Sequence, residues 1–387
     1  MNKEANFIVE YFDEKYDAHA WLVIDDLSKP LAAGGLRVKD GLTKQHVINM
    51  AKNMSKKMKI CNLNVSGAKS GIDFNPKSPN KKQVILRFMK AIKPFLETRY
   101  SMGSDLNTNM RELEEIAHEI GLKSVKAAIE KAQRLSKEQF DKLSSLLQEA
   151  VIDKWTLGEI RAGYAVAASA LSALRFLGKK PEESTAVVQG FGVLAKACII
   201  GLLEEKVKIL GISDQDKLLY SPENKLPIKE YLEKKGTMLP EIEDSKLYPE
   251  DTGDSIKKDV DLLVLAAIEN TITAQNADSV SAKVIVQGAN LAVADEAKPI
   301  LKKKNIIVLP SYLSGAGGPI SMNALFGANR IPLATEVLQH IKMNMDKITK
   351  NILETASKTG KTAEEISDIF ISEIKIDSKK KPYEEEY

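Results

Sequence analysis

The chain has 387 residues, 43% apolar and 28% charged, with a net charge of +3. That length allows two domains and a large core. So small a charge, spread over the whole chain, argues against nucleic acid or a membrane surface as partner. No apolar stretch approaches the length that crosses a bilayer. Met1–Glu10 lacks a basic start and an apolar run, so no signal peptide is expected. Cys61 and Cys198 lie in apolar runs without a Cys-x-x-Cys spacing. They read as reduced, buried thiols of a cytoplasmic protein. His19, His46, His118 and His340 are far apart, so no metal site is expected.

In chain order, Ala20–Asp25 reads as a strand, and Leu31–Lys39 contains Gly34-Gly35, a sign of close backbone approach. Thr43–Lys57 has helical spacing, with Val47, Met50, Ala51 and Met54 on one face. Asn62–Asp73 reads as strand, glycine turn, strand, which puts Lys69 in a small-residue turn. Lys81–Glu97 and Met110–Ile120 read as amphipathic helices. Gly121–Trp155 is rich in Lys, Glu, Gln and Ser and reads as helices that cover or connect. Gly163–Phe176 is an alanine-rich helix suited to close packing.

Thr185–Gln189, Gly190–Glu204 and Lys206–Ser213 form a strand, a turn with helix, and a second strand. Tyr220–Asp259 is polar. Asp261–Ala266, Lys283–Gln287 and Ile306–Leu309 read as further buried strands, which predicts a parallel sheet covered on both faces. Thr335–Ile374 reads as helical. Ile376–Tyr387 is a charged segment without apolar anchors, expected to be a flexible tail.

Gln189-Gly190-Phe191-Gly192-Val193-Leu194-Ala195 fits Gly-x-Gly-x-x-Gly/Ala between a strand and a helix. Gly190 allows the tight turn, and Gly192 lets a pyrophosphate approach the backbone. Ala195 keeps the helix close to the sheet, and the helix N-terminus favours phosphate. A purely structural strand–helix turn is the other reading of this segment. Asp214 ends the second strand, where a carboxylate can accept ribose hydroxyls and repel a 2′-phosphate. NAD is therefore expected over NADP.

Ordered blocks extend these signals. They are Ala33-Gly34-Gly35-Leu36-Arg37, Lys57, Gly67-Ala68-Lys69-Ser70-Gly71-Ile72 and Asp105-Leu106-Asn107-Thr108-Asn109, then Gly190-Phe191-Gly192 and Ser213-Asp214. Ala266-Ala267-Ile268-Glu269-Asn270, Gly288-Ala289-Asn290 and Ala316-Gly317-Gly318 follow. In order and spacing, over roughly residues 20–330, the chain resembles the glutamate/leucine/phenylalanine/valine dehydrogenase family. The resemblance implies an α/β fold of two domains. One is an N-terminal α/β substrate and oligomerisation domain over 1–150, with C-terminal helices 335–375 packing back on it. The other is a Rossmann-type doubly wound domain over 155–330, and 376–387 is the tail.

The resemblance also implies roles. Lys57 would hold the substrate α-carboxylate, Lys69 would polarise the carbonyl and the attacking water, and Asp105 would shuttle protons to and from the amino group. Ala33, Gly34 and Gly35 would line the substrate site. Gly190, Phe191, Gly192, Val193, Leu194, Asp214, Ala266, Ala267 and Asn290 would hold the cofactor. The partners implied are an amino acid or 2-oxo acid and further copies of the chain. The chemistry agrees: a carboxylate substrate needs a fixed cation, a developing oxyanion needs another, and moving ammonia needs an acid/base. Two adjacent lysines would also depress one lysine's pKa.

Departures from the family pattern fall at Ala33, where the glutamate enzymes have lysine, and at Ala162, Gly315 and Gln287. Segment 121–155 replaces a glycine-rich stretch. Ala33 directs the expectation to an apolar or aromatic substrate. The residues also admit a non-catalytic or regulatory homologue that binds nucleotide or a partner without turnover, and an NAD-dependent 2-hydroxy-acid oxidoreductase of similar domain order.

Overall fold

The computed structural model describes residues 7–241 and 249–385. Expectations for residues 1–6, for 242–248 of the polar stretch and for 386–387 of the tail lie outside the described residues. Two units divide the chain. The first takes the described residues up to Ser144, Met322–Ile331 and those from Ile374 onward; the second takes Ser145–Ser321 and Pro332–Glu373.

The first unit is built from β1 (Phe7–Asp13), β2 (Ala18–Ile24), β3 (Leu31–Lys39), α1 (Lys44–Ile60) and β4 (Val65–Asp73). It continues with α2 (Lys81–Ala91), α3 (Lys93–Thr98), β5 (Tyr100–Ser104), α4 (Met110–Glu119), α5 (Ala127–Gln133) and α6 (Lys137–Ser145). The sheet order is β1-β2-β4-β3-β5. β2 is antiparallel to β1 and β4, while β3 is parallel to β4 and β5. Period-two alternation sends Leu22, Leu36, Val38, Ala68 and Ile72 into a core with Val84, Ile85 and Phe88 of α2. Trp21 and Val23 point the other way, onto Val47, Met50 and Ala51 of α1.

β4 runs unbroken where a glycine turn was expected. Its glycines serve packing. A Cβ on Gly67 would lie 2.1 Å from the Ser55 nitrogen of α1, and one on Gly71 would meet Leu42 and Val47. The helix expected over Lys81–Glu97 divides because Pro94 opens a new one. β1 went unnoticed in the sequence.

The helices expected in 121–155 are α5 and α6, and they close the first unit together with the chain's end. Phe140 stacks on Phe326 with ring centroids 5.9 Å apart, and Phe326 meets Tyr383 at 6.4 Å. Gln133 Nε2 donates to the Phe326 and Tyr383 carbonyls at 2.7 and 2.9 Å, and its Oε1 accepts from Tyr383 N–H at 3.1 Å. Tyr383 is 1% exposed. Buried Asn64 donates from Nδ2 to the Lys380 carbonyl at 2.5 Å. The expectation of a free tail therefore fails over 376–385. One aromatic anchor and the hydrogen bonds that the Gln133 and Asn64 side chains make to the tail backbone outweigh the charged composition.

The second unit begins with β6 (Ala150–Ile152), β7 (Trp155–Thr156), α7 (Leu157–Phe176), β8 (Thr185–Gln189), α8 (Val193–Glu204), β9 (Lys208–Ser213) and β10 (Leu218–Tyr220). Then come α9 (Ile228–Glu233), β11 (Leu262–Leu265), β12 (Val284–Gln287), α10 (Lys298–Lys303), β13 (Ile307–Leu309) and α11 (Ser311–Ser314). The last helices are α12 (Gly317–Phe326), α13 (Ala334–Thr359) and α14 (Ala363–Glu373). The six-stranded order is β10-β9-β8-β11-β12-β13, parallel except for β10 at one edge. Strands such as Leu262–Leu265 are buried at every position because both faces are covered.

The alanine-rich helix packs as its small side chains suggest. A Cβ on Gly163 of α7 would sit 2.2 Å from the Leu194 carbonyl of α8. The C-terminal helices pack here, not on the first unit as expected. Ser172 of α7 donates to the Asp346 carbonyl of α13 at 3.2 Å, and Tyr312 donates to Asp368 of α14 at 2.8 Å. An apolar stripe does not state which unit it will cover. Gly360, at φ +68°, separates α13 from α14.

Candidate functional site

In the first unit three cations gather around one carboxylate. Lys69 stands on β4, on the face turned towards α1, and is 3% exposed. An ammonium so deeply buried needs an anionic partner, and the Asp105 carboxylate forms a direct, hydrogen-bonded ion pair with it. Asp105 follows β5 in a turn latched onto β3. Its N–H donates to Thr108 Oγ at 2.9 Å, and Thr108 Oγ donates to the Leu36 carbonyl at 2.8 Å. Asn107, at φ +61°, donates from Nδ2 to the Val38 carbonyl at 2.9 Å.

Two glycines let these strands come together. A Cβ on Gly34 would fall 1.7 Å from the Ala68 carbonyl oxygen, and one on Gly35 would fall 3.0 Å from Asp105 Cβ. Tyr100 OH donates to the Gly34 carbonyl at 3.1 Å and accepts from Ser70 Oγ at 3.1 Å. It ties β3, β4 and β5 behind the site.

Arg37, from the Ala33-Gly34-Gly35-Leu36-Arg37 block, joins the pair. Its Nε lies 3.4 Å from Asp105 Oδ2 and its Nη2 lies 3.5 Å from Oδ1. The signal was there in the alternation, since Ala33, Gly35 and Arg37 share one face of β3. Lys57, buried on α1, is the third cation. Burial first, then the neighbouring Lys69 charge, lowers its pKa to about 8, although Asp105 pulls the other way. Burial alone would raise the Asp105 pKa, yet the Lys69 and Arg37 charges hold its carboxyl well below the usual range. Asp105 is thus ionised, with its side chain still 21% exposed. Lys69 and Arg37 meet the Asp105 carboxylate directly, and Lys57 lies close enough to feel the charges of Lys69 and Asp105.

Ala33 is half-buried on the same face. Lys39 lies six residues further along β3, roughly 20 Å away at strand spacing. Cys61, beside this cluster, is half-buried where full burial was expected; Cys198 is fully buried.

The second unit carries the glycine turn between β8 and α8. Gly190 has φ +113°, and a Cβ there would lie 2.9 Å from the Ala266 carbonyl. Gly192 caps α8 without a side-chain hydrogen bond, and a Cβ there would meet nothing within 4 Å. Backbone donors at the start of a helix, with open space before them, fit a pyrophosphate. Ala266 and Ala267 follow β11, and Asn290 follows β12. Val193, Ile268 and Leu291 are 53%, 58% and 38% exposed and give the carboxyl ends of these strands an apolar rim. Phe191 is buried, with Lys196 Nζ 4.1 Å from its ring centre.

Asp214 stands at the end of β9, as expected, but its carboxylate is engaged. Oδ1 accepts from the Asp216 and Lys217 N–H groups at 2.8 and 2.9 Å, and Oδ2 accepts from Leu239 N–H at 2.6 Å. Sequence reading had no means of finding Leu239, 25 residues away.

The family departures have packing roles. Gln287 donates to the Leu309 carbonyl at 3.2 Å and accepts from Val293 N–H at 3.0 Å. Ala162 faces Gly317, where an added Cβ would lie 3.4 Å from the Ala162 Cα. Gly315 ends α11.

Residues 158–375 match the family described as Glutamate/Leucine/Phenylalanine/Valine dehydrogenase, and residues 13–121 match Glu/Leu/Phe/Val dehydrogenase, dimerisation domain. A glutamate dehydrogenase of Aeropyrum pernix is 29% identical over 343 residues, covering 86% of this chain and 78% of its own. Among solved structures, the hetero-hexameric glutamate dehydrogenase of Thermus thermophilus in its Leu-bound form has a TM-score of 0.73 at 20% identity. That match covers 96% of this chain and 88% of the other. The L-tryptophan dehydrogenase of Nostoc punctiforme has a TM-score of 0.60 at 17% identity, covering 97% of each chain. At such identities the two structures speak for the fold.

Proposed function

Because the chain belongs to the glutamate/leucine/phenylalanine/valine dehydrogenase family, and so is an amino-acid dehydrogenase, we propose that it oxidatively deaminates an L-amino acid with an apolar or aromatic side chain. The products are a 2-oxo acid and ammonia, and the reaction is reversible. The observation that carries this reading is the Lys69–Asp105 pair with Lys57 and Arg37 around it.

Lys57 binds the α-carboxylate, and that anion restores the full charge which burial erodes. Asp105, ionised in the free enzyme, takes a proton from the substrate ammonium so that the amine can lose hydride. Water then adds to the imino carbon. Lys69 stabilises the oxygen that becomes charged as the carbinolamine forms and collapses. Asp105 returns a proton to the departing nitrogen. A nicotinamide dinucleotide, NAD rather than NADP, supplies the hydride acceptor when bound. Gly190, Phe191, Gly192, Val193 and Leu194 would hold its pyrophosphate, Asp214 its ribose, and Ala266, Ala267 and Asn290 the rest.

Ala33, with Gly34 and Gly35, would line the space for the side chain. A second substrate carboxylate would be buried there without a cation from position 33, at a cost of several kcal/mol. Self-association is supported by the dimerisation-domain match and by β1, an edge strand with Ile8 and Phe12 exposed. Free cysteines suit a cytoplasmic setting. Among the described residues no helix is long and apolar enough to cross a membrane.

The test is a panel of L-amino acids with NAD and with NADP, read by absorbance of the reduced nicotinamide. An apolar or aromatic amino acid with NAD should give the highest kcat/KM. A maximum at glutamate overturns the side-chain preference, and no turnover with any amino acid overturns the function.

A further inference from the structure

The loop 234–241 lies against the carboxyl end of β9 and is pinned from three sides. Lys196 of α8, 4% exposed, donates from Nζ to the Lys234 and Gly236 carbonyls at 2.7 and 2.9 Å. Lys217 donates to the Pro240 carbonyl at 3.1 Å. Leu239, itself 4% exposed, donates its N–H to Asp214 Oδ2 at 2.6 Å. A carboxylate has about four acceptor sites. The loop and the β9–β10 turn occupy three of those on Asp214, and the residue is only 6% exposed.

A ribose diol approaching Asp214 asks for two acceptor sites. One remains. The ribose and the Leu239 N–H therefore compete for Oδ2. We propose that the Leu239–Asp214 contact is a specificity determinant: docked, the loop withholds Asp214 from the adenine ribose, and NAD must displace it to gain the diol contact. The inference rests on the reading that the dinucleotide binds at Gly190–Ala195. A 2′-phosphorylated ribose gains nothing from a freed carboxylate, so the docked loop lowers affinity for NAD and leaves NADP alone. The docked fraction reduces apparent NAD affinity in proportion.

Amide hydrogen exchange on the full chain, with and without saturating NAD, tests this directly. Segment 190–195 should become protected, while 236–241 should exchange faster although ligand has been added. Protection of 190–195 with unchanged or slower exchange at 236–241 overturns the competition and leaves the cofactor site standing. No change at 190–195 overturns the cofactor reading, and the competition falls with it. Leu239→Pro, which removes the N–H, should bind NAD about fivefold or more tightly by calorimetry, with NADP within twofold. A second change, Asp214→Ala, should abolish the gain. A folded Leu239→Pro chain with unchanged or weaker NAD binding contradicts the proposal; if that variant does not fold, the exchange result on the natural chain decides.

Discussion

In the first unit, Gly34 and Gly67 bring backbone against backbone; a Cβ on either would overlap a carbonyl oxygen or an amide nitrogen. In the second unit, Gly192 faces open space, and a Cβ there touches nothing in the protein. The same residue type supports a fold in one region and leaves room for a ligand in the other. The proposed chemistry divides in the same way: it would draw on charged side chains held by the close-packed strands β3, β4 and β5, and on backbone donors at the β8–α8 turn. The first region should thus be sensitive to added carbon through stability, and the second through binding.

The largest effect expected is on folding. Gly34→Ala should cost more than about 4 kcal/mol, because rigid backbone on both strands must move, and chemical denaturation would measure it. Loss below about 1 kcal/mol would mean that β3 and β4 are not so close. Tyr383→Ala should cost about 3 kcal/mol by emptying an aromatic site, with NAD affinity within twofold if the cofactor binds at the proposed β8–α8 turn of the other unit. Thermal unfolding together with calorimetry checks both halves.

Gly192→Val should leave thermal stability nearly unchanged and weaken NAD binding by about tenfold or more, the steric cost of a side chain where phosphate must approach. Unchanged binding would move the cofactor elsewhere. The smallest effect concerns pH. Lys57 loses its proton in the folded chain near pH 8, against 10.5 ordinarily. The unfolded chain therefore holds the extra proton between those values, and stability should rise with pH across the window. Binding runs oppositely. A 2-oxo acid should bind progressively more weakly above pH 8 as the Lys57 ammonium is lost, and Lys57→Met should flatten that dependence.

Much of this was legible in the sequence, for physical reasons. Gly190 and Gly192 sit between an unbroken apolar strand and a helix, so local pattern alone places them. Joint spacing singles out Lys57, Lys69 and Asp105, which the fold brings together, but it puts Lys69 in a turn, whereas Lys69 stands on β4. Glycines mark a turn and a close helix crossing alike, and only the position of α1 separates them. Arg37 needed the strand's alternation, and the partner of Asp214 needed a contact across 25 residues. The tail was misjudged because one tyrosine among charges weighs little in composition and much once it is buried on Phe326. The C-terminal helices were assigned to the wrong unit because their apolar face does not name its partner.

On the proposed function, the buried Lys69–Asp105 pair carries the proton and oxyanion chemistry of deamination. The direct measurement is kcat for Asp105→Asn and Lys69→Ala, on the best substrate of the panel, with unfolding curves to confirm native structure. Each should fall by on the order of a hundredfold or more while the chain remains folded and still binds NAD. Near-normal turnover in either folded variant would mean that the pair does not carry this chemistry.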